Sequence, residues 1–156
     1  MSTWLIVGIG NLLRRDDGAG WRLAERLAAS LQAGGQAVHL RQVQQLLPEL
    51  AEEIAELEVD AIIFADVAAS AAAARIIPLT PAADPAQGGS HHLGPAMLLF
   101  LLDRLYGRRL PAWLATVPGV DFGHGEGLSA AAEAEMQAVE KMVEELTALP
   151  GHLSNR

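Results

Sequence analysis

The sequence predicts an α/β fold: a three-layer sandwich with a mostly parallel, twisted sheet of about five strands and helices on both faces. Two observations predict it. Short apolar runs rich in β-branched residues alternate with segments whose apolar residues recur every three or four positions. Glycine and proline separate these segments, and strands that alternate with helices are typical of a sheet covered by helices.

The first half of the chain predicts three strands and two helices. The expected elements are strands over 3–9, 37–43 and 59–66 and helices over 17–33 and 46–57. The first helix is expected to end at Gly34, because glycine commonly stops a helix. The second helix tolerates Pro48 in its first turn. The run VDAIIFAD is the most strand-like segment, since it is β-branched and apolar through to Asp66.

The second half predicts the rest of one domain over residues 1–150, followed by a flexible tail at 151–156. The expected elements are strands over 75–79 and 111–119 and helices over 93–107 and 130–148. Pro78 favours a sheet edge for the first of these strands, because proline cannot donate to a ladder. Ser129 is a good N-cap for the last helix. A loop rich in proline and glycine, 80–92, carries a His-His pair.

Composition excludes several classes of protein. Apolar residues make up 51% of the chain and charged residues 19%, so a packed domain is expected rather than disorder. The net charge of −8 opposes binding to nucleic acid or to an anionic membrane. Cysteine is absent, which excludes disulfides and thiolate metal sites. No membrane span and no export signal are recognisable, so we expect a cytoplasmic protein.

Polar side chains are expected to meet at one edge of the sheet. Asp17 follows the first strand and Asp66 ends the third, and in such folds these strands are commonly neighbours. The loop with His91 and His92 leads into the helix after the fourth strand, so it can reach the same edge. Two carboxylates and an imidazole suit a divalent metal site.

Each of these residues also has a structural interpretation. Asp16 and Asp17 could only stabilise the helix dipole, and the histidines could belong to a polar loop. Asp66 is harder to explain structurally, because an acid that ends a buried strand is costly unless it is paired or ligated. Asn11 could cap its own turn or orient a bound group.

The glycines after the first strand do not form a nucleotide-binding loop. A G-x-G-x-x-G fingerprint would need glycine at position 13, where the chain has Leu13. The second strand ends in glutamines, so no acid is placed to bind a ribose. The Walker A pattern is absent as well.

Three motifs, in order, resemble those of the hydrogenase maturation endopeptidases. They are GIGNLLRRDDGAG near the N-terminus, IIFADV in the third strand, and SHHLG before the third helix. The resemblance runs over about residues 4–148. Two further stretches, QQLLPELAE and PAWLATVPGVDFGHGEGLS, are most similar to the proteases that serve bidirectional, NAD-linked hydrogenases.

The resemblance implies a protease that removes the C-terminal extension from the nickel-loaded precursor of the [NiFe]-hydrogenase large subunit. Nickel would be supplied by the substrate, with other divalent ions as possible substitutes in vitro. The residues implied to contact nickel and act in catalysis are Asp17, Asp66 and His91. Those implied to contact the substrate are Asn11, Asp16, Gln42 and His92.

Two departures from the family pattern affect the expected site. Many members have glutamate where this chain has Asp17, which reaches one methylene less far. Many also have an Asp-Gly-Gly-Thr-like turn after the second strand, where this chain reads QVQQ. This departure bears on any substrate contact of Gln42 and predicts a different set of precursors. Two alternatives stay open: a chaperone-like module that inspects the nickel site without cutting, and a flavodoxin-like binder of small molecules.

Overall fold

The computed structural model describes residues 2–69, 71–83 and 93–148. Within them a five-stranded sheet has the order β2-β1-β3-β5-β4. The strands are β1 (Thr3–Ile9), β2 (Ala37–Val43), β3 (Ala61–Ala68), β4 (Arg75–Leu79) and β5 (Ala112–Pro118). All neighbouring strands pair in parallel except β4, which is antiparallel to β5 and contains Pro78 at the sheet edge. The predicted α/β class and mostly parallel sheet are confirmed.

Helices cover both faces of this sheet. They are α1 (Ala19–Ala33), α2 (Glu49–Glu56), α3 (Pro95–Tyr106), α4 (Ala130–Glu135) and α5 (Val139–Ala148). Successive strand residues point to opposite faces, so Trp4 and Ile6 pack with α1 and α5, whereas Leu5 and Val7 pack with α2 and α3. Among the described residues, no helix combines the length and apolar character that crossing a membrane requires.

Three of the differences from the predicted elements have a non-local reason. Strand β3 extends past Asp66 to Ala68, because its last residues still pair with β5. Helix α2 begins only at Glu49, because Leu46 is held in an antiparallel bridge with Leu93. The last helix is interrupted by a 3₁₀ turn over Met136–Ala138. Arg26 of α1 donates to the Met136 carbonyl there at 3.4 Å.

Candidate functional site

The candidate site lies where β1 and β3 end side by side. Helix α1 begins directly against both strands at Gly20, which has no room for a side chain. A Cβ at this position would lie 2.7 Å from the Ala65 carbonyl oxygen and 3.0 Å from the Asp66 Cα, and closer still to the Ile9 carbonyl oxygen. This close approach brings the start of α1, and the turn before it, against Asp66.

Asp66 is a carboxylate in a poorly solvated position. By strand alternation it follows Ile62 and Phe64 on the face that α2 and α3 cover. The pKa of Asp66 is raised to about 6, chiefly by burial; the hydrogen bond from the Val67 amide opposes this rise and the negative charge of Asp17 adds to it. That amide donates to Asp66 Oδ1 at 2.8 Å. The carboxyl group therefore titrates near neutral pH.

Asp17 lies in a 3₁₀ turn, Arg15–Gly18, that leads into α1. Its Oδ2 accepts a hydrogen bond from the Asn11 amide at 3.0 Å. The side chain is only partly buried, and its charge acts on Asp66. The structure thus brings together the two acids that the sequence places on separate motifs. Two like charges at one edge favour a bound cation, which would relieve their repulsion.

Asp16 has a different environment from Asp17. It is fully buried, with 0% of its surface exposed, and both carboxylate oxygens accept hydrogen bonds from residues 120–129. Burial alone would raise the pKa of Asp16, but the hydrogen bonds from Ser129, Val120 and Asp121 hold it below the ordinary value. Asp16 has no exposed surface in the described structure, and the substrate contact predicted for it stays a prediction.

Asn11 and Gln42 make contacts within the chain. Asn11 Oδ1 accepts a hydrogen bond from the Leu13 amide at 2.9 Å, which closes the turn after β1. Gln42, on β2, donates from Nε2 to the Trp21 carbonyl of α1 at 3.3 Å. These contacts close the turn after β1 and join β2 to α1. A substrate contact by either residue stays a prediction.

The predicted imidazole ligands, His91 and His92, lie outside the described residues. Within residues 2–69, 71–83 and 93–148, no group of three or more His, Asp or Glu side chains is placed to hold a metal ion. The predicted three-ligand set is therefore represented here by its two acids, Asp17 and Asp66.

Thr116 is a polar neighbour of the site that the sequence does not reveal. It is 8% exposed and pairs in register with Asp66, so both side chains project from the same face. Its hydroxyl has no hydrogen-bond partner among the described residues. A threonine in the apolar strand AWLATVP is unremarkable as sequence, and only the register places it beside the acid.

The fold matches solved structures of hydrogenase maturation proteases. The HycI protease of Thermococcus kodakarensis KOD1 matches with a TM-score of 0.68 at 20% identity, over 92% of this chain and 91% of that one. The HybD endopeptidase of Escherichia coli gives 0.65 at 23% identity, over 94% and 91%. No protein-family model matches the sequence, and no curated protein sequence matches it significantly.

These matches define the class of fold. The chain has the α/β fold of the solved hydrogenase maturation proteases, along nearly its whole length. A hydrogenase 3 maturation protease shares it as well, with a TM-score of 0.57 at 17% identity over 90% of this chain and 88% of that one. The subgroup that serves bidirectional hydrogenases stays a prediction.

Proposed function

We propose that this protein is an endopeptidase that removes the C-terminal extension from the nickel-loaded precursor of a [NiFe]-hydrogenase large subunit. The observation that carries the proposal is the pairing of Asp17 and Asp66 at one edge of a fold shared with hydrogenase maturation proteases. Both acids belong to the motifs that resemble the family, although they lie far apart in the sequence.

The chemistry of the edge suits recognition of a metal that the substrate carries. The precursor's nickel ion would contact Asp17, Asp66 and His91, and the cation would offset the repulsion between the two carboxylates. Recognition through the metal would couple cleavage to nickel insertion, because a nickel-free precursor would lack the charge that the acids attract.

Hydrolysis needs a group that accepts a proton from water. A carboxylate at this edge suits the role of general base. We assign proton acceptance to the acid pair, Asp17 and Asp66, through an oxygen that does not contact the ion. Water adds to the scissile carbonyl carbon as its proton passes to the carboxylate. The C–N bond then breaks, and the amine leaves with that proton.

Cleavage of purified precursor tests the proposal. Wild-type protein is mixed with nickel-loaded and with nickel-free precursor, and the masses of the products are measured. We expect release of the extension from the loaded form alone, and at least about a 100-fold loss of rate in Asp17→Asn and Asp66→Asn. Glu145→Gln, which changes an exposed acid on α5, is the matched control and should cleave like wild type.

The outcomes separate the proposed protease from its alternatives. Equal processing of both precursor forms would contradict recognition through nickel. Stable binding of the loaded precursor without any mass change would instead support a chaperone that inspects the nickel site. A nucleotide that copurifies with the protein would support a small-molecule binder.

A further inference from the structure

Asp16 joins two loops at the edge of the sheet. Its Oδ2 accepts hydrogen bonds from the amides of Val120 and Asp121, at 2.8 and 2.9 Å, and from the Ser129 hydroxyl at 2.7 Å. Its Oδ1 accepts a hydrogen bond from the Ser129 amide at 2.7 Å. Four donors on one buried carboxylate tie the turn before α1 to the loop that follows β5.

Backbone contacts run alongside this carboxylate. The Asp16 amide donates to the Asp121 carbonyl at 2.8 Å, and the Arg15 amide donates to the Gly125 carbonyl at 3.0 Å. In return, the Gly125 amide donates to the Leu13 carbonyl at 2.8 Å. Residues 13–16 and 119–129 therefore form one hydrogen-bonded unit, which we call the double loop.

Ser129 connects the double loop to the last helices. Its hydroxyl donates to Asp16 and also accepts a hydrogen bond from the Ala132 amide at 3.2 Å, as the N-cap of α4. One hydroxyl thus satisfies the helix start and the buried carboxylate together. The serine fixes where α4 begins relative to the turn that carries Asp17.

The double loop contains a residue in an unfavourable backbone conformation and a glycine at a close contact. Arg15 has a φ of 49°, a left-handed conformation that a non-glycine residue seldom adopts and that persists where the surroundings enforce it. Gly119 has no space for a side chain, since a Cβ there would lie 2.9 Å from Phe122 Cζ and 3.2 Å from Asp16 Cβ. Both features indicate that the two loops are closely fitted.

We propose that Asp16 and Ser129 are positioning residues that hold Asp17 in place beside Asp66. The side-chain hydrogen bond of Asp17 is local, from the Asn11 amide. Its neighbour in the turn, Asp16, is the residue that is anchored to the distant loop. In this inference the loss of catalysis rests on the proposed protease function, whereas the mechanical coupling between the loops does not.

The variant that tests the coupling is Ser129→Ala. It removes the hydroxyl that bonds both Asp16 and the Ala132 amide, and it keeps the backbone amide that donates to Asp16 Oδ1. Ser129→Thr restores a hydroxyl and is the rescue variant. Val139→Ala, which truncates a buried α5 side chain outside the double loop, is the control for a general loss of stability.

Amide hydrogen exchange measures the coupling without any substrate. In Ser129→Ala, exchange is expected to accelerate at least about tenfold at residues 13–17 as well as at 120–129, through local opening of the double loop. In Val139→Ala, exchange at residues 13–17 should accelerate no more than exchange at amides that open only by global unfolding. Unchanged exchange at 13–17 in Ser129→Ala would overturn the proposal.

Cleavage of loaded precursor then measures the consequence for the site. Ser129→Ala is expected to lose about 10²-fold in kcat with little change in KM, because a catalytic group displaced by about 1 Å costs roughly that factor. Ser129→Thr should restore the rate. An equal loss in Val139→Ala would overturn the positioning role. If wild-type protein cleaves no precursor, the protease function fails while the exchange result still decides the coupling.

Discussion

Replacement of Asp66 by asparagine is expected to stabilise the protein at neutral pH. The folded state raises the pKa of Asp66 to about 6, from an ordinary value of 3.8. At about 1.4 kcal/mol per pH unit, this gap corresponds to about 3 kcal/mol of destabilisation when the group is ionised. Partial exposure of the side chain reduces the expected effect to about 2 kcal/mol. Asparagine keeps an oxygen for the Val67 amide, so the hydrogen bond survives.

The sign of this effect depends on pH in a defined way. Between pH 4 and 6 the folded protein holds a proton on Asp66 that the unfolded chain has released, so stability falls as the pH rises through 6. Below about pH 4 both states are protonated. The gain from Asp66→Asn should therefore be complete at pH 7.5 and vanish at pH 4.

Urea denaturation at pH 4, 5, 6 and 7.5 measures the difference. The exposed Glu145→Gln serves as the matched control and should follow wild type at every pH. A gain that is equal at pH 4 and pH 7.5 would show that packing, rather than ionisation, is responsible. Loss of stability at pH 7.5 would refute the inference that ionised Asp66 destabilises the folded protein.

Three further substitutions test the geometry of the edge. Gly20→Ala should destabilise the fold by about 3 kcal/mol in thermal unfolding, because its Cβ would overlap the strand carbonyls. The control Gly34→Ala, whose Cβ has 3.5 Å of clearance, should be tolerated. Equal losses of stability in the two variants would contradict the close approach of α1 to the strands. Asp17→Asn should lower the pKa of Asp66, followed by the NMR shift of its carboxyl carbon, because it removes a like charge; an unchanged pKa would mean that the acids do not interact. Thr116→Val should stabilise the protein by about 1 kcal/mol in urea denaturation, because it replaces a buried hydroxyl without a described partner by a methyl group. Destabilisation would indicate that the hydroxyl forms a hydrogen bond.

Much of the fold follows from local patterns. The bounds of β1, β2 and β4 agree with the sequence prediction, because each strand is delimited by its own glycine, proline or change of alternation. The extension of β3 depends on its pairing with β5. The interruption at Met136–Ala138 involves Arg26 of α1. Both contacts join residues distant in sequence, so a local pattern does not show them.

The candidate site divides in the same way. Asp17 and Asp66 converge because the sequence indicates two neighbouring parallel strands, each followed or ended by an acid. The role of Asp16 is invisible in the sequence, since its side-chain partners lie 104 to 113 positions further along the chain. The sequence does not distinguish the two adjacent aspartates, and only tertiary contacts separate the buried Asp16 from the partly buried ligand candidate Asp17.

The strand order has a consequence for synthesis of the chain. Strand β5 is the last to be made, yet it lies between β3 and β4. Until it emerges from the ribosome, β3 has an open edge and β4 has no strand beside it. The nascent protein therefore carries an exposed hydrogen-bonding edge from the synthesis of β3, which ends at Ala68, until β5 is complete at Pro118, and such an edge is a site for mispairing. Arrival of β5 closes that edge and brings the loop after it to Asp16, so the sheet and its acidic edge are completed together.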